Sequence, residues 1–495
     1  MPATTPQERS RTLLVCLLLA VCHLVRYSDP HYVLDDAWIS FRSALHWGQI
    51  GVPAYNREGP PVEAMTNLGF TALLATVDPA WMPLVARLLG GLGWLTALGI
   101  SVDIAARLGG WRPALATGLV LAASPSLNFH AFSGLETGLW CVVAAACLRI
   151  ALLSRASWGA ALGLGSLLAA GFTLRPEVAL YGPALVVLAT TRDRRWLWAL
   201  APFAFGLLAV ETFRWACFGS LVPNTFYAKP ATAAGGLDYL YRFLRSTGLA
   251  LPCGLLVAGL DRHLWRGAAW GALVLVAVLA TGGDWMDGFR RLSELALVLG
   301  IGLGVGIGTE VAWKRGAAWL GLVTWAIASG VAAAGHTDDR YTRSAGYEDL
   351  ASRARDAGVH RVGLADIGVF GWIFPGEIFD TGGLADPVLA HSEGTHGLKW
   401  SDARLDEVAP EVLVVLGEPD ARGALHFAGP NLLMLRSALQ RPGFRVAGLY
   451  PDAGRTLIVL ARDGDVLDPA IWGQPAPESM TVGLRQSLSS TSAPR

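Results

Sequence analysis

The chain has 495 residues, of which 53% are hydrophobic and 16% are charged, and its mean hydropathy is +0.42. Since about a quarter of the residues of a soluble protein are charged, this composition excludes an ordinary soluble chain and indicates a membrane protein. The 39 basic residues equal the 39 acidic residues, so no basic surplus exists to bind a nucleic-acid backbone. We therefore expect the lipid bilayer as a partner, and no nucleic acid.

Apolar stretches close to the roughly 17 to 25 residues that cross a bilayer as a helix recur along the first two thirds of the chain. We predict about eleven spans, at 11–27, 80–102, 113–130, 135–153, 157–173, 178–191, 196–217, 247–260, 267–281, 293–309 and 316–335. The first apolar run, Leu13 to Val25, follows Arg9 and Arg11, as the apolar part of a signal peptide would, but the many later stretches favour an uncleaved span. Together they define a predicted transmembrane helix bundle over residues 1–335.

The basic residues near the ends of these stretches indicate their orientation. With a cytoplasmic N-terminus, every predicted inner segment carries Lys or Arg, as the positive-inside rule requires. The residues concerned are Arg9, Arg11, Arg107, Arg112, Arg149, Arg155, Arg192, Arg194, Arg195, Arg262, Arg266, Lys314 and Arg315. This orientation requires that the apolar stretch 65–77 does not cross, so we expect a re-entrant or interfacial helix there. The long first loop, 28–79, and the C-terminal part of the chain then lie outside the cytoplasmic membrane.

The chain changes character at about residue 336, where charged residues become frequent. Short strand-like runs appear at 359–365, 412–416 and 456–460. Helical segments alternate with them, at 352–358 and 431–440, as in a βαβ-type unit. We predict an extracytoplasmic α/β domain over 336–475 and a disordered tail, rich in Ser, Thr, Pro and Gln, over 476–495.

The six cysteines lie in or beside apolar runs of the first domain, and none follows Cys253. The polar C-terminal third therefore has no cysteine for a disulfide framework or a thiolate metal site. We interpret the cysteines as small residues of a membrane core.

Two adjacent carboxylates, Asp35 and Asp36, follow the first predicted span on its outer side. A carboxylate at the mouth of a low-dielectric cavity has a raised pKa, which suits it to act as a general base. Because neighbouring side chains point in different directions, one would face a reacting hydroxyl while the other orients the chain or binds a divalent cation such as Mg²⁺ or Mn²⁺. The alternative is that an aspartate only caps the helix predicted from Ala37 to Leu45.

Further polar clusters occupy the predicted outer ends of other spans. The planar donor fork of arginine suits phosphate oxygens, and the candidate phosphate contacts are Arg175, Lys229, Arg290 and Arg291. Singly, such residues are more often helix caps or contacts of lipid head groups, but their convergence on one face favours a site. The candidate substrate-binding residues are Arg42, Asn56, Glu63, Thr66, Asn67, Glu136, Arg175, Glu177, Asn224, Tyr227, Lys229, Asp284 and Arg290.

These clusters occur in an order that resembles a known family. The stretches are DDAWISFR at 35–42, YNREG at 55–59, EAMTN at 63–67, SGLET at 133–137, LRPE at 174–177, PNTFYAK at 223–229 and GGDWM at 282–286. Together they are similar to the GT-C membrane glycosyltransferases of bacteria, and the resemblance is strongest to the terminal arabinofuranosyltransferase group. Residues 366–368 and 379–386 resemble the outer soluble domain of that family.

The resemblance implies a mainly α-helical integral membrane enzyme that transfers a sugar from a polyprenyl-phosphate carrier. The sugar would be arabinofuranose or another pentose or hexose, and the acceptor a cell-envelope glycan, lipid or protein outside the cytoplasmic membrane. In such enzymes an acidic residue of the first outer loop is the base, and Asp36 and Asp35 occupy that place. We favour Asp36 and expect a single displacement that inverts the anomeric carbon, with basic residues stabilising the departing phosphate.

Two other classes of protein remain open. A transporter or flippase of a lipid-linked or polar solute would carry charges in mid-span and two similar halves, of which the sequence shows little. A non-catalytic assembly protein would tolerate replacement of both Asp35 and Asp36.

The C-terminal domain offers its own candidates. Four aromatic residues are candidate sugar-stacking side chains, although core packing is their commoner role: Phe370, Trp372, Phe374 and Trp400. His391, Glu393 and His396 superficially resemble metal ligands, but the glycines among them favour a loop, and we assign no metal site.

Overall fold

The computed structural model describes residues 6–24, 32–284, 286, 288–335, 345–420, 424–441, 443–452, 454–462, 472 and 484. The helices of the first part of the chain are α1 (Pro6–Leu24), α2 (Asp35–Ile50), α3 (Leu68–Leu74), α4 (Met82–Gly109), α5 (Trp111–Ala122), α6 (Pro125–Ala131), α7 (Thr137–Leu153), α8 (Trp158–Leu174), α9 (Val178–Thr190), α10 (Leu200–Phe218), α11 (Asn224–Ala228), α12 (Ala233–Thr247), α13 (Ala250–Gly259), α14 (Trp265–Ala280), α15 (Ser293–Ile307) and α16 (Ala312–Gly335). Two 3₁₀ turns cover Arg194–Ala199 and Arg290–Leu292. Among the described residues, each of the eleven predicted apolar stretches overlaps at least one helix.

Only part of the predicted set of spans is long enough to cross a bilayer unaided. Among the described residues, Met82–Gly109 and Arg194–Phe218 are long and apolar enough, and six further apolar helices have 10 to 17 residues. The count of eleven spans therefore stays a prediction. The stretch 65–77 contains the seven-residue α3. At about 1.5 Å per residue this helix is too short to cross, as the orientation argument requires.

Helices α4 and α7 touch through glycines. A Cβ added at Gly138 would lie 2.0 Å from the carbonyl oxygen of Gly90, so the two backbones are in direct contact. Small residues allow such close approach between membrane helices. Because α7 begins directly after Glu136, this contact fixes the position of that carboxylate relative to the bundle.

Helix α2 is buried on almost every side, with Trp38, Phe41 and Ala44 in the core. It packs against α3 and against the C-terminal domain. The interpretation that an aspartate caps this helix is wrong, because Leu34 is the cap residue and both aspartates lie in the first turn. The side chains of Asp35 and Asp36 are thereby free to bind other partners.

The C-terminal domain is built around one sheet. Its elements are α17 (Ala345–Asp356), β1 (Arg361–Leu364), α18 (Gly368–Ile373), β2 (Glu377–Asp380), α19 (Pro387–His391), α20 (Asp402–Val408), β3 (Val412–Pro419), β4 (Leu425–His426), α21 (Gly429–Leu439), β5 (Phe444–Asp452) and β6 (Arg455–Arg462). The strand order is β2-β1-β3-β6-β5, with β4 paired to β3. Strand β1 is parallel to β2 and β3, whereas β6 is antiparallel to β3 and β5. The predicted combination of a mainly helical fold with a small C-terminal sheet is confirmed.

The boundaries at 336 and 475 stay predictions. The tail predicted over 476–495 lies outside the described residues, apart from Leu484. Of the six cysteines, the five whose side chains the structure describes are free, namely Cys16, Cys141, Cys147, Cys217 and Cys253. The interpretation of Phe370 and Phe374 as core residues is confirmed, since both are fully buried.

Candidate active site

Asp36 faces Arg290, which lies in the 3₁₀ turn just before α15. Its Oδ2 lies 3.8 Å from Nη2 of Arg290, and its side chain is 19% exposed. Arg290 also donates through Nε to Asp284 at 2.6 Å. One guanidinium therefore links two carboxylates, and all three residues were predicted from the sequence.

Asp284 stays ionised in this group. Burial alone would raise the pKa of Asp284, but the charges of Arg290 and Lys229 outweigh it and hold that pKa well below its usual value. The same ion pair raises the pKa of Arg290 against the effect of its own burial, so its guanidinium is charged. The centre is thus a fixed positive charge beside a half-buried carboxylate, which suits chemistry in which negative charge develops.

Asp35 has a different partner from Asp36. Its Oδ2 accepts the N–H of Gly368 at 2.9 Å, and its Oδ1 accepts the N–H of Val369 at 2.8 Å. A Cβ at residue 368 would fall 2.0 Å from the carbonyl oxygen of Asp35, so glycine is required there. Asp35 therefore joins α2 to α18, as expected for the carboxylate that orients the chain. Asp36 makes no such contact with a described residue and faces Arg290. Which of the two is the base stays a prediction.

The burial of Asp35 makes stability depend on pH. Burial raises the pKa of Asp35 to about 7, and the charges of Asp366 and Asp36 act in the same direction. The unfolded value is about 4, so the folded protein binds this proton more tightly. The contribution of Asp35 is then present below about pH 4 and is lost as the pH rises to about 7.

We expect Asp35→Asn to flatten the fall of apparent melting temperature between about pH 4 and pH 7 in the detergent-solubilised protein. Thermal melts of wild type and variant at a series of pH values measure the two slopes. Asp349→Asn, on an exposed face of α17, is the matched control and should keep the wild-type slope. Equal slopes for Asp35→Asn and wild type would contradict the assignment.

A buried network lies beside this centre. Glu136 forms an ion pair with Arg175 at 3.2 Å and accepts the side-chain amide of Asn67 at 2.9 Å. Asn67 in turn accepts the hydroxyl of Ser40, on α2, at 2.9 Å. The N–H of Leu34 donates to the carbonyl of Ser133 at 3.0 Å. Three predicted residues, Asn67, Glu136 and Arg175, are thus brought together and tied to the helix that carries Asp36.

Two arginines share a cavity next to this network. It is lined by Arg175, Glu177, Tyr181, Ala277, Val278 and Arg291, and its volume is about 10 Å³, room for about one water molecule. Nε of Arg291 lies 3.0 Å from Glu177. The cavity is too small to enclose a phosphate, but its two guanidinium groups suit contact with an anionic group.

Arg42 lies between the two domains rather than beside Arg290. Its guanidinium is buried and donates to the carbonyl oxygens of Tyr55 at 2.8 Å, Phe374 at 2.7 Å and Gly376 at 2.7 Å, and to that of Gly371. It also stacks over the ring of Tyr55, 4.9 Å from the centroid. The three contacts to Gly371, Phe374 and Gly376 hold the C-terminal domain against α2, and substrate binding by Arg42 stays a prediction.

Two predicted asparagines have similar contacts. Asn56 donates to the carbonyl of Ile378 at 2.8 Å and accepts its N–H at 3.1 Å, so it pairs with the backbone of β2. The amide of Asn224 donates to the carbonyls of Gly383 at 3.0 Å and Leu384 at 2.8 Å. Both side chains therefore attach the C-terminal domain, and their predicted role in substrate binding stays a prediction.

Glu63 and Thr66 are not joined to the centre by any contact among the described residues. Glu63 is buried and pairs with Arg214 of α10 at 3.1 Å. Burial raises the pKa of Glu63 to about 7 although Arg214 lowers it. Thr66 is half-buried just before α3. We read Glu63 as the anchor of the first loop on α10.

Tyr227 and Lys229 bring the C-terminal domain to the centre. The ring of Tyr227 packs on His391 with centroids 4.1 Å apart. The charge of Lys229 acts on Asp284 and on His396. From the sequence, His396 was weighed only as a metal ligand, because no local pattern shows that the loop after α19 lies near α11.

The arrangement of these side chains does not favour a metal. Among the described residues, no group of three or more His, Cys, Asp or Glu side chains is placed to hold a metal ion. Arg290 occupies the place between Asp36 and Asp284 that a cation would take. The donor set therefore does not fit the predicted divalent cation, and Mg²⁺ or Mn²⁺ dependence stays a prediction.

Comparison with solved structures identifies the fold. The chain matches crystal structures of ArnT from Cupriavidus metallidurans in the apo state, with TM-score 0.53 and 14% identity, and bound to undecaprenyl phosphate, with TM-score 0.54 and 16% identity. The matches cover 93% and 90% of this chain and 98% and 97% of the ArnT chains. At this identity the likeness shows the fold alone.

A curated relative connects the sequence to a particular group. The terminal beta-(1→2)-arabinofuranosyltransferase of Mycobacterium tuberculosis (strain ATCC 25618 / H37Rv) is 30% identical over 253 residues. The match covers 46% of this chain and spans 40% of the length of the relative. No protein-family model matches the chain. The resemblance to the terminal arabinofuranosyltransferase group and to GT-C glycosyltransferases is confirmed by the relative and by the ArnT fold, and a membrane location follows from the same fold and the apolar helices.

Proposed function

We propose that the chain is a membrane glycosyltransferase of the GT-C type. It transfers a sugar from a polyprenyl-phosphate carrier to a cell-envelope acceptor on the outer side of the cytoplasmic membrane. The observation that carries this proposal is the half-buried carboxylate of Asp36 facing the Arg290–Asp284 pair. The similarity to a terminal arabinofuranosyltransferase makes arabinofuranose the first sugar to test.

The proposed reaction is one displacement at the anomeric carbon. Asp36 takes the proton of the acceptor hydroxyl while that oxygen forms the new bond to the anomeric carbon. The bond from that carbon to the phosphate oxygen breaks, and its electron pair leaves with the polyprenyl phosphate. Attack from the opposite face inverts the configuration. Arg290, held by Asp284, orients Asp36 and places positive charge where the phosphate departs.

We place the departing phosphate against Arg175 and Arg291, which line the small cavity described above. Its apolar residues, Ala277 and Val278, belong to α14 and would contact the first units of the carrier chain. Crystals of ArnT with undecaprenyl phosphate support a lipid phosphate as the ligand of this fold. Undecaprenyl phosphate is therefore the probe of choice.

We expect Arg291→Gln to weaken the affinity for undecaprenyl phosphate about tenfold, because one charge-assisted hydrogen bond contributes roughly 1.5 to 3 kcal/mol. Competition by undecaprenyl phosphate against donor turnover in nanodiscs measures the change. Arg107→Gln is the control, since Arg107 is exposed on α4 and pairs with Asp103. An unchanged affinity in Arg291→Gln would place the phosphate elsewhere.

The function itself is tested with the wild-type chain in nanodiscs and a panel of polyprenyl-phosphate sugars. Release of polyprenyl phosphate together with glycosylation of an arabinofuranoside acceptor is the expected result. No turnover with any donor would contradict the proposal. Movement of a lipid-linked sugar across the bilayer, without any transfer, would favour the transporter or flippase. No contact among the described residues favours that alternative.

A further inference from the structure

Two segments far apart in the sequence are locked together beside the candidate active site. One contains α11 and Lys229, and the other is the loop 391–400 that follows α19. The buried Lys399 donates to the carbonyl oxygens of Tyr227 at 2.8 Å and Ala390 at 2.5 Å. The rings of Tyr227 and His391 pack against each other, with an interplanar angle of 31°. These contacts hold the loop in one position against α11.

His396 lies within this loop, and one of its two ring nitrogens makes a hydrogen bond to the protein backbone. Nδ1 is 3.1 Å from the carbonyl oxygen of Ala228. A carbonyl oxygen only accepts, so Nδ1 carries the hydrogen and Nε2 of the neutral ring carries the lone pair. No described residue makes a hydrogen bond to Nε2, and the side chain is exposed. The loop therefore presents one uncommitted hydrogen-bond acceptor.

The surroundings of His396 connect it to the proposed chemistry. Partial burial and the charge of Lys229 lower the pKa of His396, whereas Asp36 and Asp284 act in the opposite direction. The ring is thus neutral at pH 7, and it lies within electrostatic reach of the proposed base. A neutral ring with a lone pair suits a hydroxyl, which can donate, and does not suit a phosphate oxygen, which cannot.

We propose that His396 binds the acceptor. Its Nε2 accepts a hydrogen bond from a hydroxyl of the acceptor sugar, and the stacked rings of Tyr227 and His391 support the apolar face of that sugar. This inference rests on the proposed function and assigns the acceptor side of the site to the C-terminal domain. The donor phosphate then contacts Arg175 and Arg291, and Asp36 lies on the acceptor side of the anomeric carbon.

Three variants test the inference in transfer from a polyprenyl-phosphate arabinofuranose to a synthetic octyl arabinofuranoside disaccharide. We expect His396→Ala to raise the acceptor KM about tenfold, the effect of one lost hydrogen bond, while kcat at saturating acceptor changes less than about twofold. His396→Gln keeps a carbonyl oxygen that accepts a hydrogen bond and should restore part of the affinity. His426→Ala is the control, because His426 is exposed and pairs with Asp420.

The outcomes separate the inference from the proposed function. An unchanged acceptor KM in His396→Ala, with an active wild type, would overturn the inference and leave the proposed function standing. Parallel loss of kcat in both His396 variants, without a change of KM, would overturn it in favour of a structural role. A wild type that turns over no donor would overturn both.

Discussion

Asp36→Asn is expected to lower sugar transfer by roughly 10²- to 10⁴-fold, the usual contribution of a general base. Asparagine keeps the shape of aspartate but cannot take the proton of the acceptor hydroxyl. The side chain of Asp36 is 19% exposed and its ion-pair partner, Arg290, lies 3.8 Å away. The substitution therefore breaks no close buried hydrogen bond of the described residues, and the variant should fold in normal yield.

Transfer by the variant is measured in nanodiscs beside Asp35→Asn and Asp349→Asn. Asp349 is 48% exposed and pairs with Arg353 within α17, so its variant should match wild type. Asp35→Asn should keep measurable turnover, because Asp35 contacts the backbone of α18 rather than the centre. Loss confined to Asp35→Asn would move the base to that residue, and full activity of both variants would favour a non-catalytic protein.

The helical part of the fold could be predicted because apolar stretches of this length form helices whatever their partners are. The strands were only partly visible. β3 and β6 contain runs of Val, Leu and Ile, and β1 lies within the predicted run 359–365, but β2 has four residues with an acid at each end. β5 carries a bulge between Val446 and Gly448 that disrupts its alternation. These two strands and the two-residue β4 were missed because they lack the pattern on which sequence prediction depends.

The location of the site was predictable for a related reason. Apolar spans confine polar residues to their ends, so Asp36, Asp284 and Arg290 had to lie on a common face. The individual contacts were not predictable. Arg42 donates to Gly371 and Phe374, 329 and 332 residues further along the chain, and no local pattern separates such an arginine from one that binds phosphate. His396 was considered only as a metal ligand, because no local pattern places its loop beside α11.

Arg42→Lys is expected to destabilise the protein by about 3 to 5 kcal/mol, the usual cost of breaking a buried charged contact. The guanidinium of Arg42 donates to four backbone carbonyls, three of them in the C-terminal domain. Lysine keeps the charge, but its three N–H groups radiate from one atom and cannot reach them all. Each buried carbonyl left without a donor costs about 1 to 3 kcal/mol.

The melting temperature of the detergent-solubilised variant and its cleavage by protease between the two domains measure this loss. Arg57→Lys is the matched control, because Arg57 is exposed in the segment that follows α2. This variant should melt like wild type. Transfer should fall together with stability in Arg42→Lys, since α18 holds Asp35 and α2 carries Asp36 next to it. A melting temperature equal to that of Arg57→Lys would show that the C-terminal domain is held by other contacts. Full transfer at a reduced melting temperature would show that the position of Asp36 does not depend on the C-terminal domain.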